Sequence, residues 1–155
     1  MDSQFTIVIA DDHPLFRGAL YQAVHMAIDE ARLLEADSID SLTHLLAEHP
    51  EVDLLLLDLK MPGANGFEGL AYLRGQYPDL PIVVVSASED AAIIQQVLRL
   101  GALGFIPKSV PMKELVSALN TVIGGDNWVP EGISLHPESE DGPDFASKLA
   151  SLTPQ

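Results

Sequence analysis

The chain of 155 residues contains no cysteine, which excludes disulfides, thiolate metal sites and thiol nucleophiles. It is also short of positive charge. Eight Lys and Arg stand against 23 Asp and Glu, a formal net charge of -15, and a surface of that sign repels a polyanion. These residues are therefore not expected to bind nucleic acid themselves. Long apolar runs are missing too: the longest, near 54–57 and 82–85, fall far short of the roughly 18 residues of a membrane-spanning helix. No membrane partner is expected. The amino terminus, Met1-Asp2-Ser3-Gln4, has neither the positive region nor the apolar stretch of a secretory signal. With the missing cysteines, this points to a cytoplasmic location. The five histidines are scattered, and with no His-x-x-x-His or similar pair they read as ordinary surface or core residues.

What is present is a packed core. Hydrophobic residues make up 47% of the chain, enough for one sizeable domain at this length and too many for a disordered one. Its centre is the stretch from Asp53 through Leu54-Leu55-Leu56-Leu57 to Asp58, followed at once by Met61-Pro62-Gly63 and Gly66. A short apolar run closed by turn residues predicts a buried parallel strand. Asp58 then sits at its carboxyl end, where open α/β sheets bind their ligands. Taken alone, Asp58 is equally well explained as a loop cap.

The flanking chain repeats the pattern. Phe5-Thr6-Ile7-Val8-Ile9-Ala10 reads as a first strand running into Asp11-Asp12-His13-Pro14. Pro14 suits the first turn of a helix with an acid before it as N-cap. A short strand is predicted over 32–36, then a helix capped by Asp37 or Ser38 whose apolar positions Ile39, Leu42, Leu45 and Leu46 recur at helical spacing. A third helix is expected over 67–76, and a fourth strand over 82–85 ending at Ser86. Glu89 and Asp90 open the next helix at its positive end, and Gly101 closes it. A fifth strand over 103–106 leads to Pro107-Lys108-Ser109. Ser109 is the expected cap of the last helix, with Pro111 in its first turn and Leu115, Leu119 and Val122 on its buried face. This β-α alternation predicts an α/β fold, a doubly wound five-stranded parallel sheet with helices on both faces. Beyond Trp128, Pro130, Gly132, Pro137, Gly142 and Pro143 alternate with acids and no period is sustained. The expected division is a folded domain over 1–128 and an acidic linker over 129–155.

The residues at the strands' carboxyl ends are Asp11, Asp12, Asp58, Ser86 and Lys108. Carboxylates brought together there repel unless a cation joins them, and Mg2+ suits a hard oxygen site. A carboxylate nucleophile, a divalent cation, an ammonium and a hydroxyl make a site for phosphoryl transfer. Individually, Ser86 is also explained as a helix cap, Lys108 as a solvated loop residue and Phe105 as core.

In combination these motifs resemble the receiver domain of a two-component response regulator: Asp-Asp after strand one, Asp-x-x-Met-Pro-Gly-x-x-Gly from Asp58, Ser-Ala after strand four, and Gly-Ala-x-Gly-Phe-x-x-Lys before the last helix. The resemblance covers residues 5 to about 125 and implies the flavodoxin-like strand order 2-1-3-4-5, for which a member of this family is a known example. It implies that Asp58 accepts a phosphoryl group from a sensor histidine kinase. Asp11, Asp12, Asp58 and the backbone carbonyl of Lys60 would bind Mg2+, and Lys108 would contact the phosphoryl group. Ser86 and Phe105 would form the switch pair, the aromatic turning inward as the hydroxyl moves. The protein would catalyse its own phosphotransfer and dephosphorylation without being an enzyme in the usual sense. Gly-Ala-Leu-Gly-Phe and the closing Leu-Thr-Pro look most like the NarL/LuxR type, which implies transcription regulation through a C-terminal helix-turn-helix domain absent from these residues, and a homodimer formed on phosphorylation. Two positions depart from the wider family: Ser109 replaces the proline often found after the lysine, and Lys60 occupies a position that tunes the lifetime of the phosphoryl group.

Three other readings fit less well. A phosphatase of the haloacid dehalogenase kind needs a second acid two residues after the nucleophile, where this chain has Lys60. A flavodoxin needs a Ser/Thr-Gly-rich phosphate loop after strand one, where Asp11 and Asp12 would repel the phosphate. A pseudo-receiver that never sees phosphate would not need the complete set of acids, Ser and Lys.

Overall fold

The computed structural model of the chain describes residues 5–28, 30–61, 63, 66–88 and 90–130. Ten elements alternate along it: β1 (Phe5–Ala10), α1 (Pro14–Ala27), β2 (Ala31–Ala36), α2 (Ile39–Glu48), β3 (Leu54–Asp58), α3 (Phe67–Gln76), β4 (Ile82–Ser86), α4 (Ala91–Arg99), β5 (Gly104–Pro107) and α5 (Met112–Ile123). The strands form one sheet in the order β2-β1-β3-β4-β5, and every neighbouring pair is parallel. This is the doubly wound arrangement expected from the β-α alternation, in the flavodoxin-like order that the family resemblance implied.

The strand residues divide by parity, as a pleated strand requires. Ile7, Ile9, Leu54, Leu56, Val83, Val85 and Ile106 face α1 and α5, where Leu20, Val24, Leu115 and Leu119 cover them. Val8, Leu55, Leu57, Ile82, Val84 and Phe105 face the opposite layer of α2, α3 and α4. Each central strand is buried on both sides, so β3 and β4 read as unbroken aliphatic runs. Burying one such side chain stabilises the fold by ~1.5–3 kcal/mol.

Two helix starts differ from expectation. Neither acid before Pro14 caps α1: the N-cap residue is His13, with no side-chain capping bond. Asp11 instead takes the His13 N–H on Oδ1 at 2.7 Å, while its other oxygen turns toward the strand ends. The N-cap of α5 is Pro111 rather than Ser109. Proline keeps Val110 before it out of the helical region, and Pro111 itself is extended, with ψ 160°, so the helix begins at Met112. By contrast, α2 starts on Ser38, which accepts the Ser41 N–H in a reciprocal capping box, and Asp90 caps α4 through the Ala92 N–H at 2.9 Å.

Trp128, at the expected domain edge, belongs to the fold. It bridges in parallel to Gly104, and its carbonyl accepts the Phe105 N–H at 3.0 Å. A Cβ on Gly104 would lie 2.6 Å from that carbonyl oxygen, so the close approach needs glycine. The expected linker falls outside the described residues from 131 onward, as do Glu89 and, within the turn after β3, Pro62, Ala64 and Asn65.

Candidate functional site

Register and parity assemble the site. Ala10 pairs with Leu57, so the next residues, Asp11 and Asp58, are level at the sheet's carboxyl edge. Both continue the parity that faces α1 and α5, and Lys108 follows Ile106 on the same side. Both acids are buried, each 1% exposed. Burying two carboxylates is tolerable only with a counter-charge, and Lys108 supplies it: Nζ lies 3.1 Å from Asp58 Oδ2 and 3.2 Å from Asp11 Oδ2. Phe16 lies under the ammonium, 5.0 Å from Nζ to the ring centroid.

The backbone orients the carboxylates. Lys60 N–H donates to Asp58 Oδ1 at 3.0 Å, and the Arg17 guanidinium anchors the Asp11 carbonyl at 2.9 Å. Asp12, more exposed than Asp11, stands at the pocket's mouth with Oδ1 3.4 Å from His13 Nδ1. One contact remains incomplete. Asp11 Oδ2, despite the nearby ammonium, accepts no hydrogen bond, and it is the one buried side-chain polar atom in that condition among the described residues.

Ser86 and Phe105 lie on the other side of the sheet. Ser86 is 2% exposed, and its Oγ accepts the Ser88 N–H at 3.2 Å. It lines an open cleft of about 580 Å³ with Leu59, Lys60, Met61, Phe67 and Ile93. Phe105 is fully buried in the cluster containing Ile94 and Val97. The two halves of the site are joined by, among others, a backbone bond from Lys108 N–H to the Ser86 carbonyl at 2.7 Å.

A buried aspartate at the end of the third strand, two further aspartates after the first and a lysine after the fifth, on this strand order, decide the family. The chain belongs to the response regulator receiver domain family. The family's sequence pattern matches residues 7–120. The glycerol metabolism activator of Pseudomonas putida is 36% identical over 151 residues, which are 97% of this chain and 68% of that protein. The nitrate/nitrite response regulator NarL of Escherichia coli K12 is also 36% identical, over 83% of this chain and 59% of that protein. The receiver thus spans about three-fifths to two-thirds of these curated relatives. Among solved structures, the isolated receiver domain of RcsB from Salmonella enterica serovar Typhimurium, determined with the phosphomimetic BeF3-, superposes with a TM-score of 0.75 at 26% identity, covering 83% of this chain and 95% of that one.

The fit to a divalent cation can be judged on this receiver's own atoms. Ligand atoms of Asp11, Asp12, His13 and Asp58 all lie within 4.8 Å of one another, and Asp11 Oδ2 is buried without a hydrogen bond. A hard cation would satisfy that oxygen, so the residues fit the group. The structure brings together Asp11, Asp12, Asp58 and Lys108 in one pocket, with the Lys60 peptide against Asp58 and Ser86 within one backbone bond of Lys108.

Sequence reasoning missed His13, which was read with the other histidines as an ordinary residue. Its Nδ1 lies 2.9 Å from Lys108 Nζ and 3.4 Å from Asp58 Oδ2. The available signal was its place directly after Asp11-Asp12, at the end of a strand. A search for histidine pairs along the chain passes over it.

Proposed function

We propose that Asp58 is the phosphoacceptor of a signalling switch, charged from the phosphohistidine of a sensor histidine kinase and read out as transcription regulation. The observation that carries this reading is Asp58 itself, buried and paired at 3.1 Å with a lysine 50 residues away, beside Asp11 and Asp12. In the transfer, a carboxylate oxygen of Asp58 attacks phosphorus, the P–N bond of the phosphohistidine breaks with its electron pair returning to the imidazole, and an acyl phosphate remains. Asp11, Asp12, Asp58 and the Lys60 backbone carbonyl would hold Mg2+, which when bound neutralises charge on the transferring group. Lys60 N–H keeps the carboxylate oriented, and Lys108 turns its ammonium from the acids to the new phosphoryl oxygens. Water then hydrolyses the acyl phosphate. The receiver turns over its own modification, not a diffusible substrate.

Phosphorylation adds a charge of about -1.5 to -2 and new acceptor oxygens. Ser86 Oγ, which accepts the Ser88 N–H at 3.2 Å, can donate its O–H to a phosphoryl oxygen and draw the loop after β4 with it. Differential contact with the modified state is what shifts a population. Phe105 is fully buried in this structure, the inward position that the switch reading assigns to the ring in the modified state. The change is expected at the Ser86 hydroxyl, at the Phe105 ring and on the surface of α4, β5 and α5. The relatives, an activator of glycerol metabolism and a nitrate/nitrite response regulator, support a regulatory output, and solved RcsB dimers bound to DNA support an output through a DNA-binding domain and a homodimer, which this reading takes to form on phosphorylation. The net charge of -15 supports leaving DNA contact to that other domain. In this reading residues 1–128 are the receiver, residues 129–155 the linker, and the location is cytoplasmic.

The test is intact-protein mass after incubation with acetyl phosphate, with and without Mg2+, on wild type and Asp58→Asn. A gain of one phosphoryl group that requires both the metal and Asp58 is expected. Labelling retained in Asp58→Asn would overturn the assignment, and no gain in wild type would favour a pseudo-receiver.

A further inference from the structure

His13 stands among the acids, with its ring nitrogen hydrogen-bonded to the pocket's lysine. Its Nδ1 is 3.3 Å from Asp11 Oδ1, 3.4 Å from Asp12 Oδ1 and 3.4 Å from Asp58 Oδ2. One nitrogen cannot donate to three carboxylates. Its nearest neighbour is Lys108 Nζ at 2.9 Å, and an ammonium only donates. Nδ1 therefore accepts, and its lone pair is already presented to a cation inside the acid pocket.

The spacing is somewhat wider than a coordination shell. In an octahedron with bonds of ~2.1 Å, adjacent ligands are ~3.0 Å apart and opposite ones ~4.2 Å. The three nitrogen-to-oxygen distances are each slightly longer than the first value and the four ligand atoms lie within 4.8 Å of one another, so small side-chain rotations would close the set on one ion. A second observation is independent of His13: Asp11 Oδ2 is buried and accepts no hydrogen bond, its one counter-charge being the Lys108 ammonium 3.2 Å away that a metal would displace. The ring is held from its base, because His13 N–H donates to Asp11 Oδ1 at 2.7 Å and its carbonyl accepts the Arg17 N–H at 2.9 Å. Its side chain is 59% exposed, so ligation need not bury the rest of the imidazole.

We propose that His13 Nδ1 is a fourth side-chain ligand in this pocket, alongside Asp11, Asp12 and Asp58, and that the pocket thereby prefers a first-row transition-metal ion such as Mn2+, Co2+ or Ni2+ to Mg2+. The proposal rests on the reading of the pocket as a divalent-cation site. Imidazole adds affinity for the transition ions in the Irving–Williams order, whereas Mg2+ favours oxygen ligands and gains little from nitrogen. Lys108 Nζ, the cation now in contact with Nδ1, gives way when the metal enters.

The test is isothermal titration of the chain without a histidine tag, using MgCl2 and NiCl2 separately, on wild type, His13→Ala and Asp58→Asn. His13 makes no side-chain capping bond, so alanine leaves α1 intact. The ratio of Ni2+ to Mg2+ affinity is expected to fall at least tenfold in His13→Ala. Electron spin-echo spectroscopy of the Mn2+-loaded wild type should also show nitrogen modulation that His13→Ala loses. An unchanged affinity ratio, or no nitrogen modulation in wild type, overturns the role of His13 while leaving the acid pocket standing, provided both ions still need Asp58. Cation binding indifferent to Asp58→Asn would overturn the acid-pocket reading and the inference with it.

Discussion

Replacing Lys108 with methionine removes the ammonium while keeping a side chain of similar reach over Phe16. The ammonium lies 3.1 Å from Asp58 Oδ2 and 3.2 Å from Asp11 Oδ2, and both acids are 1% exposed. Without it, two buried carboxylates face each other with Asp12 close by. Removing one partner of a buried ion pair costs ~3–5 kcal/mol. This pocket opens to solvent past Asp12 and His13, so the expected loss in EDTA is reduced to ~2–4 kcal/mol. A divalent cation supplies the missing charge. A ligand that binds only the folded state adds stability as RT ln(1 + [L]/Kd), about 2.7 kcal/mol at a hundredfold excess over Kd. Because ammonium and metal compete for the same oxygens, the variant should bind Mg2+ more tightly than wild type. The assay is urea unfolding followed by Trp128 fluorescence, in EDTA and in saturating MgCl2. The deficit seen in EDTA should shrink by at least half in Mg2+. A loss below about 1 kcal/mol in EDTA, or an equal loss in both buffers, would refute Lys108 as the pocket's resident counter-charge.

Ser86→Ala removes the acceptor of the Ser88 N–H and should cost about 1 kcal/mol in chemical denaturation. Labelling by acetyl phosphate should persist in this variant while phosphorylation-dependent NMR shifts in α4, β5 and α5 diminish. Undiminished shifts would remove Ser86 from the switch. Gly104→Ala sets a Cβ 2.6 Å from the Trp128 carbonyl oxygen. The overpacking should cost ~1–3 kcal/mol and shift Trp128 emission to the red as the indole leaves β5. Unchanged emission would mean that the bridge yields elsewhere.

The sheet was readable because its burial is nearly complete. Leu54 to Leu57 and Ile82 to Val85 are covered on both faces, so aliphatic runs closed by turn residues mark β3 and β4, whereas the strand order came from the family resemblance, since crossover handedness alone does not select it. The starts of α1 and α5 were not readable by the same rules. Capping preferences describe local competition for the first free N–H groups, and at α1 a distant demand prevailed: Asp11 turns its carboxylate toward Lys108. At α5, Pro111 sets the boundary by sterics, which a search for a polar cap overlooks.

The site divides along the same line. Asp11, Asp58 and Lys108 announce themselves as charges at strand ends, a position apparent from pattern alone. His13 does not, because its significance comes from Lys108, 95 residues away, and no spacing along the chain encodes that approach. Parity separates what the motifs had grouped: the acids and Lys108 face α1 and α5, whereas Ser86 and Phe105 face the layer containing α4. A charge change at Asp58 therefore starts on the opposite side of the sheet from the α4 layer. One link between the two sides is the end of β4 against β5, where Lys108 N–H holds the Ser86 carbonyl at 2.7 Å. In the proposed phosphorylated state, moving the ammonium of Lys108 from carboxylate to phosphoryl oxygen would load that link from one side, and recruiting the Ser86 hydroxyl would load it from the other. This backbone junction is thus one physical connection between the proposed phosphoacceptor and the α4 layer.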